Sequence, residues 1–132
     1  MLTVKKVAQQ LQISEYTVRY YTNLGLVPNV KRNAQNERIF DESSLEWLRG
    51  CKMLRSTGMS IKQIKRYVDL CKVGIESVDE RYAIMKNEQQ RAIQRLKDAE
   101  QNLQFVNAKV NVYEQAIHNH ENVDPLNPQN ND

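Results

Sequence analysis

Thr17-Val18-Arg19-Tyr20-Tyr21-Thr22-Asn23-Leu24-Gly25-Leu26-Val27-Pro28 is the stretch on which the fold turns. It reads as a short basic and aromatic helix with a defined end. Gly25 takes the left-handed conformation that a helix stop needs, and Pro28 prevents a restart upstream of itself. Ser14 caps the start, and Glu15 sits at the positive end of the helix dipole. Just before it, Val4, Val7, Ala8 and Leu11 form one apolar helical stripe behind the candidate cap Thr3. Two short helices joined by a tight turn, the second carrying Arg and Tyr on an exposed face, present side chains to a DNA groove.

Downstream of Pro28 the pattern changes. Val30-Lys31-Arg32 and Arg38-Ile39-Phe40 flank the Asn-rich segment Asn33-Ala34-Gln35-Asn36-Glu37. The short runs and the turn residues predict a two-stranded hairpin, a wing too small to be a sheet. Asp41 then caps a helix with Leu45, Trp47, Leu48, Cys51 and Leu54 on its apolar side, which Gly58 stops. Ser60-Ile61-Lys62-Gln63 reads as a capping box, with Met59 and Ile64 spaced for a hydrophobic staple. The helix it opens runs to about Cys71 and ends at Gly74. Ser77-Val78-Asp79-Glu80 reads as another capping box, opening the last helix.

That last helix repeats without a break. Val78, Tyr82, Met85, Gln89, Ala92, Leu96, Ala99, Leu103, Val106, Val110, Tyr113 and Ile117 alternate four and three residues apart, and only Gln89 among them is polar. A heptad stripe this long with no Gly or Pro is a coiled-coil signature. At 1.5 Å per residue the helix spans roughly 60 Å. The rest of so short a chain has too little surface to cover the stripe, so a partner helix is implied. The organisation expected is mainly α: a winged helix-turn-helix head over residues 1–75, a coiled-coil dimerisation helix over 76–118, and a disordered tail over 119–132. The dimer interface would comprise Tyr82, Met85, Gln89, Ala92, Leu96, Ala99, Leu103, Val106, Val110, Tyr113 and Ile117.

Charge divides along the same line. Of 19 Lys and Arg residues thirteen fall in residues 1–75, against six of the 16 Asp and Glu. A basic head on an acidic stalk is an electrostatic footprint for a polyanion. No run approaches the roughly 18 apolar residues of a membrane span, and the N-terminus has no apolar leader, so a cytoplasmic protein without membrane contact is expected. Cys51 and Cys71 are too few for a disulfide scaffold and too far apart for a Cys-x-x-Cys motif. No nucleophile–base pair or Gly-rich phosphate loop argues for an enzyme. No cofactor is implied, and His118 and His120, near a frayed helix end, read as solvated residues rather than metal ligands.

The candidate DNA contacts follow from chemistry. Ser14, Tyr16, Thr17, Arg19 and Tyr20 stand near the N-terminal face of the second helix, the end that enters the major groove. Arg forks onto guanine or phosphate, and Tyr hydroxyls reach phosphates while the rings pack. Of the adjacent pair, Tyr21 is expected inside and Tyr20 outside. Arg32 and Arg38 on the wing strands are expected to flank the phosphate backbone. Arg55, Ser60, Lys62 and Lys65 surround the Gly58 turn, where a helix N-terminus also favours phosphate.

These residues resemble the MerR family of bacterial transcriptional regulators. The match runs through Thr3-Val4-Lys5-Lys6-Val7-Ala8, Ile13-Ser14, Thr17-Val18-Arg19-Tyr20-Tyr21 and Gly25-Leu26-Val27-Pro28. It continues through Arg32, Arg38-Ile39-Phe40, Leu54-Arg55-Ser56-Thr57-Gly58-Met59-Ser60-Ile61 and Ile64-Lys65, over about residues 2–72. The resemblance implies a second wing built from the helices over 41–57 and 60–71, and an antiparallel coiled-coil homodimer. It implies binding to a pseudo-palindrome in double-stranded promoter DNA whose two polymerase elements are too far apart. An effector makes such dimers bend and untwist the DNA so that RNA polymerase engages both, against a deformation energy of about 1–6 kcal/mol or more. Two positions depart from the family: Gln12 stands where the turn usually has glycine, and Phe40 where the wing usually ends in Tyr.

No cysteine follows Cys71, so the metal-binding loop of the family's metal sensors is not expected, and a drug-binding domain after the long helix is not expected either. Cys51 resembles the lone helix cysteine of the short aldehyde- and thiol-stress-responsive branch, and Lys52 and Arg55 stand where they would favour its thiolate. The competing reading makes Cys51 a small buried hydrophobe on the Trp47/Leu48/Leu54 stripe. For the whole chain, the alternative to an effector-responsive regulator is a sequence-tolerant DNA-architecture or coiled-coil adaptor protein.

Overall fold

Four side chains open four helices in the same way. Thr3, Ser14, Asp41 and Ser60 have extended backbones, and each side-chain oxygen accepts from the N–H three residues ahead, on Lys6, Thr17, Ser44 and Gln63. Each satisfies one donor that the first helical turn leaves without a partner. The computed structural model describes residues 1–122, and the helices so opened are α1 (Val4–Leu11), α2 (Glu15–Asn23), α3 (Glu42–Ser56) and α4 (Ile61–Val73). Asp41 is held below the ordinary carboxylate range, chiefly by the Ser44 hydrogen bonds, because they favour its charged form.

Between α1 and α2, Gln12 adopts φ 56° and ψ 45°, and its N–H turns back to the carbonyls of Ala8 and Gln9. The glycine-like geometry is therefore kept, at a steric cost of about 1 kcal/mol for a side chain with a Cβ. Gly25, at φ 76°, ends α2 as expected. Leu26, just beyond it, is fully buried.

The wing differs from expectation. Lys31–Arg32 (β2) and Arg38–Phe40 (β3) form the hairpin, but Leu2–Thr3 (β1) adds a third strand, in the order β1-β3-β2. All pairs are antiparallel, with Leu2 opposite Phe40 and Arg32 opposite Arg38. A two-residue strand has no periodicity to read, and its partner lies far along the chain. The tip is an Asx turn: Asn33 Oδ1 accepts from the N–H groups of Gln35 (3.0 Å) and Glu37 (2.9 Å). Phe40 has no exposed surface and joins Val7, Val18, Leu26, Leu48 and Ile64 at the centre of the core. The ring at the wing's end thus anchors the sheet from within.

Ser60 and Gln63 form the capping box that the sequence predicts, and Gly74, at φ 94°, ends α4. The second predicted box is absent. Ser77 lies in a 3-10 turn, Ile75–Ser77, and its hydroxyl donates backwards to the carbonyls of Leu70 and Gly74 while accepting from Arg81 Nε. The hydroxyl closes the α4 terminus and holds the Arg81 side chain, and does not cap a backbone N–H of the last helix. That helix, α5, runs unbroken over Val78–Asn119.

The chain divides into two compact units, Met1–Glu88 and the part from Gln89 onward. In the first, Ile84 and Met85 of α5 pack against the core, so Met85, expected on the dimer stripe, is half-buried in its own head. In the second, the predicted stripe is exposed: Leu96 is 61%, Leu103 59% and Ile117 74% accessible, with Val106, Val110 and Tyr113 also open. Of the expected tail, Asn119 belongs to the helix, and residues 123–132 lie outside the described residues.

Candidate nucleic-acid interface

The exposed face of α2 begins at its cap. Ser14 Oγ accepts from the Thr17 N–H (2.9 Å) and lies 2.8 Å from Thr17 Oγ1, so the two hydroxyls share one hydrogen bond at the helix start. One turn on, Tyr16 is 74% and Tyr20 39% exposed, with rings stacked at 6.1 Å between centroids. Tyr21 is buried, as the sequence predicts, and burial raises its pKa. Arg19 reaches Glu15 at 3.3 Å, with both side chains about half exposed. Such a pair contributes little, about 0.3–0.5 kcal/mol, and leaves the guanidinium ready to exchange partners.

Between this face and the wing lies a cavity of about 540 Å³ lined by Lys5, Glu15, Arg19, Arg32, Glu37 and Arg38, among others. The three-stranded sheet, with β1 leading directly into α1, is what brings Lys5 to the same opening. Lys5 was missed in the sequence because its place depends on that pairing. The wing arginines diverge within the cavity. Arg32 Nη1 donates to the Asn36 carbonyl (2.8 Å) and stays exposed beside the tip. Arg38, half-buried, turns to α2: Nη2 donates to Asn23 Oδ1 (2.6 Å) and Nη1 to the Arg19 carbonyl (3.4 Å). The expectation that both flank a phosphate therefore separates into one arginine at the surface and one bonded to α2.

The second cluster is less uniform than its sequence suggests. Lys62 is exposed in the first turn of α4, where backbone N–H groups have no intrahelical acceptor. Ser60 spends its hydroxyl on the capping box. Lys65 pairs with Asp69 at 2.7 Å, and Arg55 donates to the Met59 carbonyl at 2.9 Å.

Two further lysines act as cross-links. Lys52 Nζ donates to the Leu11 carbonyl at the end of α1 (2.6 Å), and Lys72 Nζ to the Gly25 carbonyl after α2 (2.6 Å). Each places a cation at the negative end of a helix of the helix-turn-helix. Nothing in the local sequence marks them out, since both bonds join distant segments.

Cys51 lies buried, as the small-hydrophobe reading of it expects. It is 2% exposed, and burial, with Cys71 as a lesser cause, pushes its pKa up to about 11. Lys52 and Arg55, which the sequence places to favour a thiolate, are bonded to carbonyls instead. Cys51 borders an apolar cavity of about 240 Å³ with Trp47, Gly50, Leu54, Tyr67 and Val68. Among the described residues, no group of three or more His, Cys, Asp or Glu side chains gathers for a metal ion, and no helix is long and apolar enough to cross a membrane.

Comparison with known proteins agrees with this geometry. The sequence model for the MerR HTH family regulatory protein matches residues 2–71. An HTH-type transcriptional regulator of Haemophilus influenzae is 32% identical over 114 residues, covering 86% of this chain and 84% of that one. The HTH-type transcriptional regulator AdhR of Bacillus subtilis is 34% identical over 93 residues, or 70% and 66% of the two chains. Among solved structures, HiNmlR, described as a MerR family regulator lacking the sensor domain and bound to promoter DNA, superposes with a TM-score of 0.85. Its identity is 31%, over 91% of each chain.

Proposed function

The chain belongs to the MerR family of helix-turn-helix regulatory proteins, and from that premise we propose that it binds promoter DNA as a homodimer and controls transcription by reshaping the duplex. The observation that carries the reading is the cationic opening between α2 and the wing. Tyr16, Arg19 and Tyr20 stand exposed on one side, Arg32 on the other, and Lys5 between. An α-helix fits the major groove, and a wing beside it reaches the neighbouring backbone.

Arg19 is the base-reading candidate, because its partner Glu15 is exposed and exchangeable. Ser14, Thr17, Tyr16 and Tyr20 fit sugar–phosphate contacts that set register. Arg32 and Lys62 fit phosphate contacts; Arg55, Ser60 and Lys65 fit a supporting layer that shapes the α4 terminus. Dimerisation is supported by the exposed apolar stripe of α5, which two chains would cover mutually. Two heads then meet the two halves of a pseudo-palindrome, and a bent or untwisted duplex is how such a dimer would hand the promoter to RNA polymerase.

A response to electrophiles at Cys51 has weaker support. At pH 7 a thiol with a pKa of about 11 holds only about one thiolate in ten thousand. We assign Cys51 to packing between α3 and α4. A Cys51→Ser chain that still bound its promoter but lost induction by aldehydes would reverse that assignment.

The test is footprinting on promoter DNA across a salt series. If Lys5, Arg32 and Lys62 of both heads neutralise phosphates, log K falls against log salt with a slope of about −5. A shallow slope with no protected site would refute the interface. Equal affinity for any duplex would favour an architectural protein instead.

A further inference from the structure

Arg32 and Arg38 face each other across β2 and β3. Like charges directly opposite on a strand pair are destabilising unless their ends are drawn apart. Here they are: Arg32 bends to the hairpin tip, and Arg38 to α2. The two acceptors of Arg38, the Asn23 amide oxygen and the Arg19 carbonyl, lie one helical turn apart on one face of α2, and a different guanidinium nitrogen serves each. A rigid planar fork bonded at two points fixes an angle, which a single flexible ammonium does not.

The wing needs such a fixture. β2 and β3 have two and three residues, and a short hairpin alone is marginal. The sheet is joined to α1 through β1, but α2 follows α1 only after the Gln12 turn. The Arg38 fork is a direct hydrogen-bonded link from the wing to α2, and it grips the turn from which the Arg19 side chain leaves.

We propose that Arg38 is a positioning residue for DNA recognition: it locks the wing to the C-terminal half of α2, and so sets the direction of Arg19, instead of neutralising a phosphate itself. This rests on the DNA-binding reading above. It makes Asn23, at the helix end, a specificity determinant that touches no base.

The two roles separate by salt dependence and by the Asn23 partner. The full chain is used to select its tightest duplex from a random-sequence pool. Affinities for that duplex and for a scrambled one of equal composition are then measured across salt for wild type, Arg38→Ala, Asn23→Ala and the double variant. For a clamp, each single variant weakens the selected duplex about tenfold, as expected for losing a charge-assisted bond. The scrambled duplex and the salt slope are unaffected, and the double variant is no worse than Arg38→Ala alone, since that variant already removes the bond to Asn23. Asn23→Ala removes only the acceptor, so it carries the test if Arg38→Ala folds poorly. A direct phosphate contact gives the opposite pattern: Arg38→Ala weakens both duplexes alike and flattens the slope by about two units per dimer, while Asn23→Ala does nothing. That pattern overturns the clamp and leaves the interface standing. A wild-type chain that prefers no duplex overturns both.

Discussion

In the head, Leu48, Ile64, Leu26 and Phe40 have no accessible surface; along α5, Leu96, Leu103 and Ile117 keep more than half of theirs. The residue types are alike and the local helix is equally regular. The difference lies in what stands opposite. Short helices in the head are each capped and turned so that their apolar stripes face one another, and the chain completes its own core. The α5 stripe runs along one helix, and among the described residues of its unit no second helix or strand stands beside it. A head that closes its own core and a helix that leaves its stripe open are what supports the proposed dimer.

The strongest attack on this contrast is on the helix. Leu96→Glu with Leu103→Glu should leave the head folded, read by near-ultraviolet circular dichroism of Trp47. It should abolish self-association and lower affinity for the selected duplex by about a thousandfold, the order of avidity lost when two linked heads become one. A double variant that still dimerises would move the interface elsewhere.

Next in size is the head. Leu48→Ala should destabilise it by about 3 kcal/mol, the usual cost of a cavity at a fully buried leucine, measured by chemical denaturation. A loss under about 1 kcal/mol would mean that the centre of the core is elsewhere.

A smaller effect should appear with pH. The Cys51 thiol titrates higher in the folded head than in the unfolded chain, so its contribution to stability is intact below pH 9 and lost as pH rises toward 11. Tyr21 and Tyr67, also raised by burial, act in the same direction at the upper end. Thermal melts should fall over that range, and Cys51→Ala should flatten the early part of the fall. Iodoacetamide labelling of Cys51 near neutral pH should be far slower than for an unperturbed thiol. Fast labelling of the folded chain would contradict the burial described for it.

Least of all, Gln12→Gly should stabilise the head by about 0.5 kcal/mol or less, since relief at φ 56° slightly exceeds the extra freedom glycine gives the unfolded chain. A loss of stability would mean that the Gln12 side chain makes a contact that outweighs its backbone strain.

What could be read from the sequence was local. Ser14, Asp41 and Ser60 announce helix starts because a capping oxygen acts on an N–H three residues away. Gly25 announces an end because few residues adopt its φ, and the α5 heptads announce a long helix because the repeat is one-dimensional. Tyr20 and Tyr21 separate correctly for the same reason, one apolar face against one exposed.

What could not be read was non-local or directional. β1 exists only because Leu2 meets Phe40. Ser77 has the right neighbours for a cap but turns its hydroxyl towards Leu70 and Gly74. Lys52, Lys72 and Arg38 are drawn onto carbonyls or amides of distant segments, so an inventory of basic residues overstates the number that face outward. The candidate interface was thus legible in its members on α2, and only partly in those of the wing and α4.

Sedimentation equilibrium of the full chain at micromolar concentration tests the dimer most directly. We expect a single species of twice the chain mass, falling to the chain mass for the Leu96→Glu, Leu103→Glu variant. A wild-type chain that sediments as a monomer, with and without its selected duplex, would contradict the account.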